Sequence, residues 1–189
     1  MKKIWGIVLF SFLLVGCNSI QSNYNKKIPA IDGINANRQH VDESIFTNKI
    51  SLVYVFFTSC ATICSPMTMN LAALQKEMNE HGVTDYQIVG LTVDPQVDSP
   101  EQLTTFIKRI QPVDREQWTF ITGYKEETIQ QFAKEAFQMI VKRDQANQFV
   151  HGSQLYLVDR KGVIRKVYAE GLQLPKDEIM HDVKLLGQQ

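Results

Sequence analysis

The sequence predicts an α/β sandwich, a central mixed sheet flanked by helices and preceded by an N-terminal extension. Three observations carry that expectation. Leu52 to Phe57 is an unbroken apolar run, Ser99-Pro100 opens a helix with a cap and a proline, and strand-like and helix-like segments alternate until a hairpin and a last helix close the chain.

The elements follow in order. Ile28 to Lys49 is weakly patterned and reads as an added hairpin or an irregular lead-in. Leu-Val-Tyr-Val-Phe-Phe at 52–57 lacks alternation, as suits a central strand covered on both faces. Beyond Ser65-Pro66, Met67, Leu71, Leu74 and Met78 recur at helical spacing. That helix ends before Gly82, and Pro66 is tolerable in its first turn. Gln87 to Val93 reads as a second buried strand. Ser99 is a cap, Pro100 takes the first helical position and Gln102 completes the signal, with Leu103, Phe106, Ile107 and Ile110 on one stripe. Trp118 to Ile121 is a short strand, and Ile129, Phe132, Ala133, Ala136 and Phe137 form another helical stripe. Leu155 to Val158 and Val163 to Tyr168 flank Asp159-Arg160-Lys161-Gly162, a hairpin signal. Pro175, Asp177 and Glu178 open a last helix that ends near Gly187. This is the order of a thioredoxin-like sandwich.

Residues 1–17 read as an address. Lys2 and Lys3 give a basic start, Ile4 to Val15 is almost wholly apolar, and Leu14-Val15-Gly16-Cys17 sets small residues before a cysteine. The apolar run of about 12 residues falls short of the roughly 20 that cross a bilayer, so it fits a secretion signal. The Leu-x-Gly-Cys ending resembles a bacterial lipobox. That implies cleavage before Cys17, lipid on its sulfur, and a folded part anchored at the extracytoplasmic face of the cell membrane. An uncleaved signal anchor with a chance cysteine is the competing account, and it leaves the folded part on the same side. Residues 18–27, polar from Gln21 to Lys27, read as a tether, and 28–189 as one domain with a full core. The chain holds 20 basic and 20 acidic residues; without Lys2 and Lys3 the balance is 18 against 20. No basic patch or charge run stands out, so the composition argues against nucleic acid as a partner; a monomer is expected.

With Cys17 lipidated, Cys60 and Cys64 are the remaining pair. A bridge between them would close so short a loop that it would constrain the unfolded chain little, which suits a purely structural role poorly. Both lie between a strand end and a helix start, where backbone N–H groups and the helix dipole favour the thiolate. Thiolate is the form that binds soft metals and attacks disulfides. Residue types alone leave three roles open: an inert disulfide, a metal-free redox pair, or soft-metal ligands. His151 stands alone ahead of a strand, and a lone histidine is more often a surface or core residue than a ligand.

Three segments taken together change that balance. They are the strand running into Thr58-Ser59-Cys60-Ala61-Thr62-Ile63-Cys64 and a helix, the stretch Thr92-Val93-Asp94-Pro95-Gln96-Val97-Asp98-Ser99-Pro100-Glu101, and His151 ahead of a strand and Asp159-Arg160-Lys161-Gly162. They resemble the Sco/SenC family of copper chaperones for cytochrome c oxidase, over roughly residues 45–175. The resemblance implies a thioredoxin-like domain with copper as its metal and Cys60, Cys64 and His151 as the ligands. It also implies cytochrome c oxidase subunit II as the acceptor, and a copper donor or thiol reductant as a further partner. The sequence departs from the family at Ala61 and Ser65, where proline often follows each cysteine, and at Val150, where aspartate usually precedes the histidine. These departures bear on loop rigidity and metal affinity. The segment before His151 also lacks the proline that thioredoxins carry opposite their cysteines, which weakens a general thioredoxin role.

Two functions draw on the same thiols. As a copper-binding protein, the chain would hold the metal on Cys60, Cys64 and His151 and release it by ligand exchange, with oxidation of the thiols acting as a gate. As a thiol–disulfide oxidoreductase, Cys60 and Cys64 would be catalytic, reducing the acceptor's cysteines before metal insertion without needing His151. A peroxide-reducing or redox-sensing lipoprotein is a third possibility that no residue favours. Asp94 and Asp98 read as turn and helix-start chemistry and, by resemblance, as a loop that tunes access to the site. Met67 and Met69 offer thioethers, but Met67 fits the apolar stripe of its helix and reads as core. His40, His81 and His181 read as solvated.

Overall fold

The computed structural model describes residues 20–146, 148–168 and 173–189. Its centre is the apolar run: β4 (Ile50–Phe56) is buried at every residue and pairs in parallel with β5 (Tyr86–Thr92), also buried throughout. Burial on both faces explains why neither strand alternates. β6 (Trp118–Thr122) extends the parallel set beyond β5. On the other side β9 (Leu155–Val158) runs antiparallel to β4, and β10 (Val163–Tyr168) returns beside it. Gly162 makes that return possible, with φ of 71° in the turn after Asp159.

Four helices cover the sheet: α1 (Cys64–Glu80), α2 (Pro100–Ile110), α3 (Glu126–Phe137) and α4 (Lys176–Gly187). The expected cap is present, since Ser99 Oγ accepts from the Gln102 N–H over 3.3 Å. Met67, Leu71, Leu74 and Met78 bury one face of α1, so Met67 belongs to the core, while Met69 is exposed. Phe56, Phe106 and Phe120 pack together where α2 meets the sheet, with ring centroids 4.9–5.8 Å apart.

The lead-in proves to be a hairpin, β2 (Asp32–Asn35) and β3 (His40–Asp42), which adds to the sheet beyond β6 and is followed by a 3-10 turn at Glu43–Phe46. The stretch expected as a tether is partly built into the opposite sheet edge. β1 (Lys26–Lys27) pairs antiparallel with β10. The Asn23 side chain donates to the Val167 carbonyl over 3.0 Å and accepts from its N–H at 2.8 Å, and the Tyr24 ring sits edge-on to Tyr156 at 6.2 Å. A polar composition conceals this docking, because backbone groups and one side-chain amide meet the sheet edge and need no apolar pattern. The eight strands run β1-β10-β9-β4-β5-β6-β2-β3. This is the mixed α/β sandwich expected from the sequence. Among the described residues, no helix is long and apolar enough to cross a membrane. Residues 1–17, expected as a secretion signal ending at Cys17, lie outside the described residues.

One element had no sequence signal. β7 (Lys142–Arg143) and β8 (Phe149–Val150) form a separate two-stranded hairpin that ends at His151. The carboxyl ends of β4 and β5 lead into the loops that carry the cysteines and the Asp94–Asp98 segment.

Candidate metal and thiol site

Cys60 lies in the loop that leaves β4, and Cys64 is the first residue of α1. Both are free thiols. The Cys60 N–H donates to the Phe57 carbonyl over 3.3 Å, closing a turn that aims the side chain at the helix start. No side chain caps α1 at Ile63. Instead Cys60 Sγ accepts from the Cys64 backbone N–H over 3.5 Å and lies 3.7 Å from the Thr62 hydroxyl. The sulfur thus occupies the place of a capping oxygen, where negative charge is favoured. The Cys64 thiol's hydrogen bond, with lesser help from the Thr62 and Cys64 N–H groups, pushes the Cys60 pKa down to about 4 against the cost of its partial burial. Cys64 moves the other way, far above an ordinary thiol, because its proton is engaged by Cys60 and because it is buried. The shared hydrogen bond and the helix start thus favour the thiolate on Cys60 and the proton on Cys64.

His151 comes to this pair from the far side. Its Nε2 is 3.8 Å from Cys64 Sγ. Its Nδ1 is 2.7 Å from the Gly152 carbonyl, which can only accept, so Nδ1 carries the hydrogen and the Nε2 lone pair faces the sulfur. Burial holds the imidazole below its usual pKa of 6.5, against opposing contributions from Gly152 and Cys60, which keeps the ring neutral at pH 7. Phe57 packs edge-on against the ring at 5.8 Å.

The donor set suits a soft or borderline metal: two thiols, one already ionised, and a neutral imidazole with its lone pair turned inward. The spacing fits as well. A sulfur and a nitrogen bound to one first-row ion at about 2.3 Å and 2.05 Å are separated by about 3.6–3.8 Å at tetrahedral to trigonal angles. Cys64 and His151 already stand at such a distance. Cys60 Sγ is engaged at the helix start, and among the described residues no three His, Cys, Asp or Glu side chains form a finished cage. A cavity of about 370 Å³ opens beside the three, lined by Phe57, Cys60, Ile63, Phe149 and His151 among others.

Two supports were only partly visible in the sequence. Asp98 is fully buried and accepts from the Thr58 N–H at 3.0 Å, from the Thr58 hydroxyl and from the Thr92 hydroxyl. It ties the cysteine loop to the end of β5, a larger role than turn chemistry. Burial pushes its carboxyl above the usual range, and the hydrogen bonds from Thr58 and Thr92 work against that. Asp94 reaches the other way, to Arg143 on β7 at 3.2 Å. His40, His81 and His181 are exposed, on β3, at the C-terminal end of α1 and on α4. Phe149 and Arg143 have no sequence signal, and Phe57 shows itself only as the end of a strand, because their contacts at the site are tertiary.

A thioredoxin-like sandwich carrying a thiol pair at a helix start, with an imidazole closing on it from a hairpin, defines a thiol-and-metal class of domain. The family model described as SCO1/SenC matches residues 22–187, and the chain belongs to that family. It is 33% identical to a SCO1 protein homolog of Bacillus subtilis, over 97% of each chain. The crystal structure of a SCO1/SenC family lipoprotein from Bacillus anthracis is 32% identical, with a TM-score of 0.83 over 89% of this chain and 99% of that one. BsSco, a member of the Sco family of cytochrome c oxidase assembly proteins in which a disulfide switch was identified, is also 32% identical, with a TM-score of 0.78 over 89% and 96%. Arabidopsis thaliana ScoI with copper bound shares the fold, at 22% identity and a TM-score of 0.72 over 85% and 98%.

Proposed function

We propose that this protein binds copper through Cys60, Cys64 and His151 and delivers it to cytochrome c oxidase subunit II. It would work from the extracytoplasmic face of the cell membrane, held there by lipid on Cys17. The observation that carries the reading is the 3.8 Å approach of the His151 Nε2 lone pair to Cys64 Sγ. Membership of a family whose named members include cytochrome c oxidase assembly proteins and copper-bound structures supports the choice of metal and of pathway. The lipobox and a lipoprotein among the relatives support the anchor.

The chemistry follows from the protonation states. Cys60 is ready to bind as thiolate, whereas Cys64 must lose its proton, so metal binding releases about one proton per ion at neutral pH. The neutral imidazole supplies a ligand without proton loss. Handover would proceed by exchange, with the acceptor's thiols replacing Cys60, the most exposed donor, before Cys64 and His151. Titration of the reduced protein with cuprous ion against a competing chelator tests this, with wild type beside His151→Ala. Weaker binding in the variant is expected; equal binding would remove His151 from the ligand set.

The thiol–disulfide oxidoreductase reading has one observation of its own, the split between an ionised, partly exposed Cys60 and a protonated, buried Cys64. That is the division of labour between an attacking and a resolving thiol. Cys64→Ser should then trap a mixed disulfide at Cys60, and His151→Ala should leave exchange intact.

A further inference from the structure

His151 sits at the end of a hairpin that cannot hold itself. β7 and β8 contribute two residues each, and an isolated two-stranded hairpin is marginal in water even when longer. Something else must set where the imidazole stands. Arg143 has the contacts for that task. Arg143, on β7, donates from Nη2 to Asp94 at 3.2 Å and to Glu126 at 3.0 Å, and from Nε to Glu126 at 3.3 Å. Its guanidinium also lies over the Phe149 ring, 4.0 Å from the centroid. The carboxylates are well covered, with side chains 7% and 18% exposed, so solvent screens these pairs less than it screens a surface ion pair. From Phe149 the contacts run on to the site: Phe149 packs edge-on against Phe57 at 5.9 Å, and Phe57 against His151 at 5.8 Å.

Asp94 sits four residues before Asp98, which fastens Thr58 ahead of Cys60. The segment 94–98 therefore grips both halves of the site: Asp98 the cysteine loop, and Asp94 the histidine hairpin through Arg143. We propose that Arg143 is a positioning residue for His151, clamping the hairpin onto Asp94 and Glu126 so that the imidazole stays within reach of Cys64. Arginine suits this better than lysine, because its planar fork serves two carboxylates while one face stacks on a ring. The inference rests on His151 being a copper ligand, as proposed above.

The test is a cycle of variants of the intact, reduced chain: wild type, Arg143→Gln, His151→Ala and the double variant, each titrated with cuprous ion. Residues that orient a metal-binding histidine are worth about 10–100-fold in affinity. Arg143→Gln should weaken binding by about tenfold in the wild type and leave the affinity of His151→Ala unchanged. Arg143→Lys should recover part of the loss. Hydrogen exchange of the metal-free protein gives an independent readout, with faster exchange at residues 149–151 in Arg143→Gln and unchanged rates in β4 and β5. If Arg143→Gln weakens binding equally in both backgrounds, or not at all while His151→Ala does, the clamp is refuted and the ligand set stands. If His151→Ala itself binds like wild type, the failure lies in the ligand assignment. Should Arg143→Gln fail to fold, Asp94→Ala removes the Asp94 half of the clamp from the other side and must weaken binding in the wild type but not in His151→Ala.

Discussion

Asp98 accepts both the backbone N–H and the hydroxyl of Thr58, two residues before Cys60, from a position with no solvent exposure. The cysteine loop is thus fastened at its root by one carboxylate, which also receives the Thr92 hydroxyl at the end of β5. Replacing Asp98 by alanine strands these buried donors. We expect a loss of about 3 kcal/mol in urea unfolding, with Asp98→Asn milder because an amide oxygen can still accept. Equal, small losses in both variants would show that the fastening is unimportant.

The thiols should differ in reactivity. With its pKa pushed down to about 4, Cys60 is already thiolate at neutral pH, so its alkylation by iodoacetamide should stay flat from about pH 6 to 8. An ordinary thiol, with a pKa of about 8.5, would speed up roughly a hundredfold over that span. Mass spectrometry of the modified peptides should find Cys60 labelled first and Cys64 protected. A rising rate at Cys60 would contradict the shared-proton arrangement.

His151 should make stability depend on pH. The folded imidazole has its pKa lowered by burial, so the unfolded chain binds this proton more readily, and native stability falls as pH drops through about 6.5. The urea midpoint of metal-free wild type should fall more steeply between about pH 7 and 5.5 than that of His151→Gln. Identical slopes would mean that the ring is not held neutral by its site.

Gly90 tests the core beneath the site. A Cβ there would stand 2.6 Å and 2.8 Å from Phe120 ring atoms and 2.9 Å from Phe56, all within the packed aromatic group. Gly90→Ala should therefore destabilise the fold by about 1–3 kcal/mol, read from the thermal midpoint. An unchanged midpoint would show that these rings have room to move.

Features with a local cause were legible in the sequence. β4 and β5 show themselves because strands buried on both faces lose alternation, and α2 because Ser99, Pro100 and Gln102 spell a helix start within four residues. The place of Cys60 and Cys64 between a strand and a helix was legible in the same way. What escaped depends on partners distant in the chain. Strands of two residues have no period, so the β7–β8 hairpin was invisible, and with it the means by which His151 arrives. Arg143 is one basic residue among twenty until the fold places Asp94 and Glu126 around it. Asp98 looked like a residue of a turn and proved to be a buried fastening. Asn23 and Tyr24 looked like linker and proved to be sheet edge.

The central claim is that two sulfurs and one imidazole nitrogen meet at a single ion. X-ray absorption of the reduced protein loaded with one equivalent of cuprous ion examines that directly. The expected first shell is two sulfurs and one nitrogen in wild type, with the nitrogen lost in His151→Ala and one sulfur lost in Cys60→Ser or Cys64→Ser. A wild-type shell made of sulfur alone, or one that His151→Ala leaves unaltered, would contradict the account.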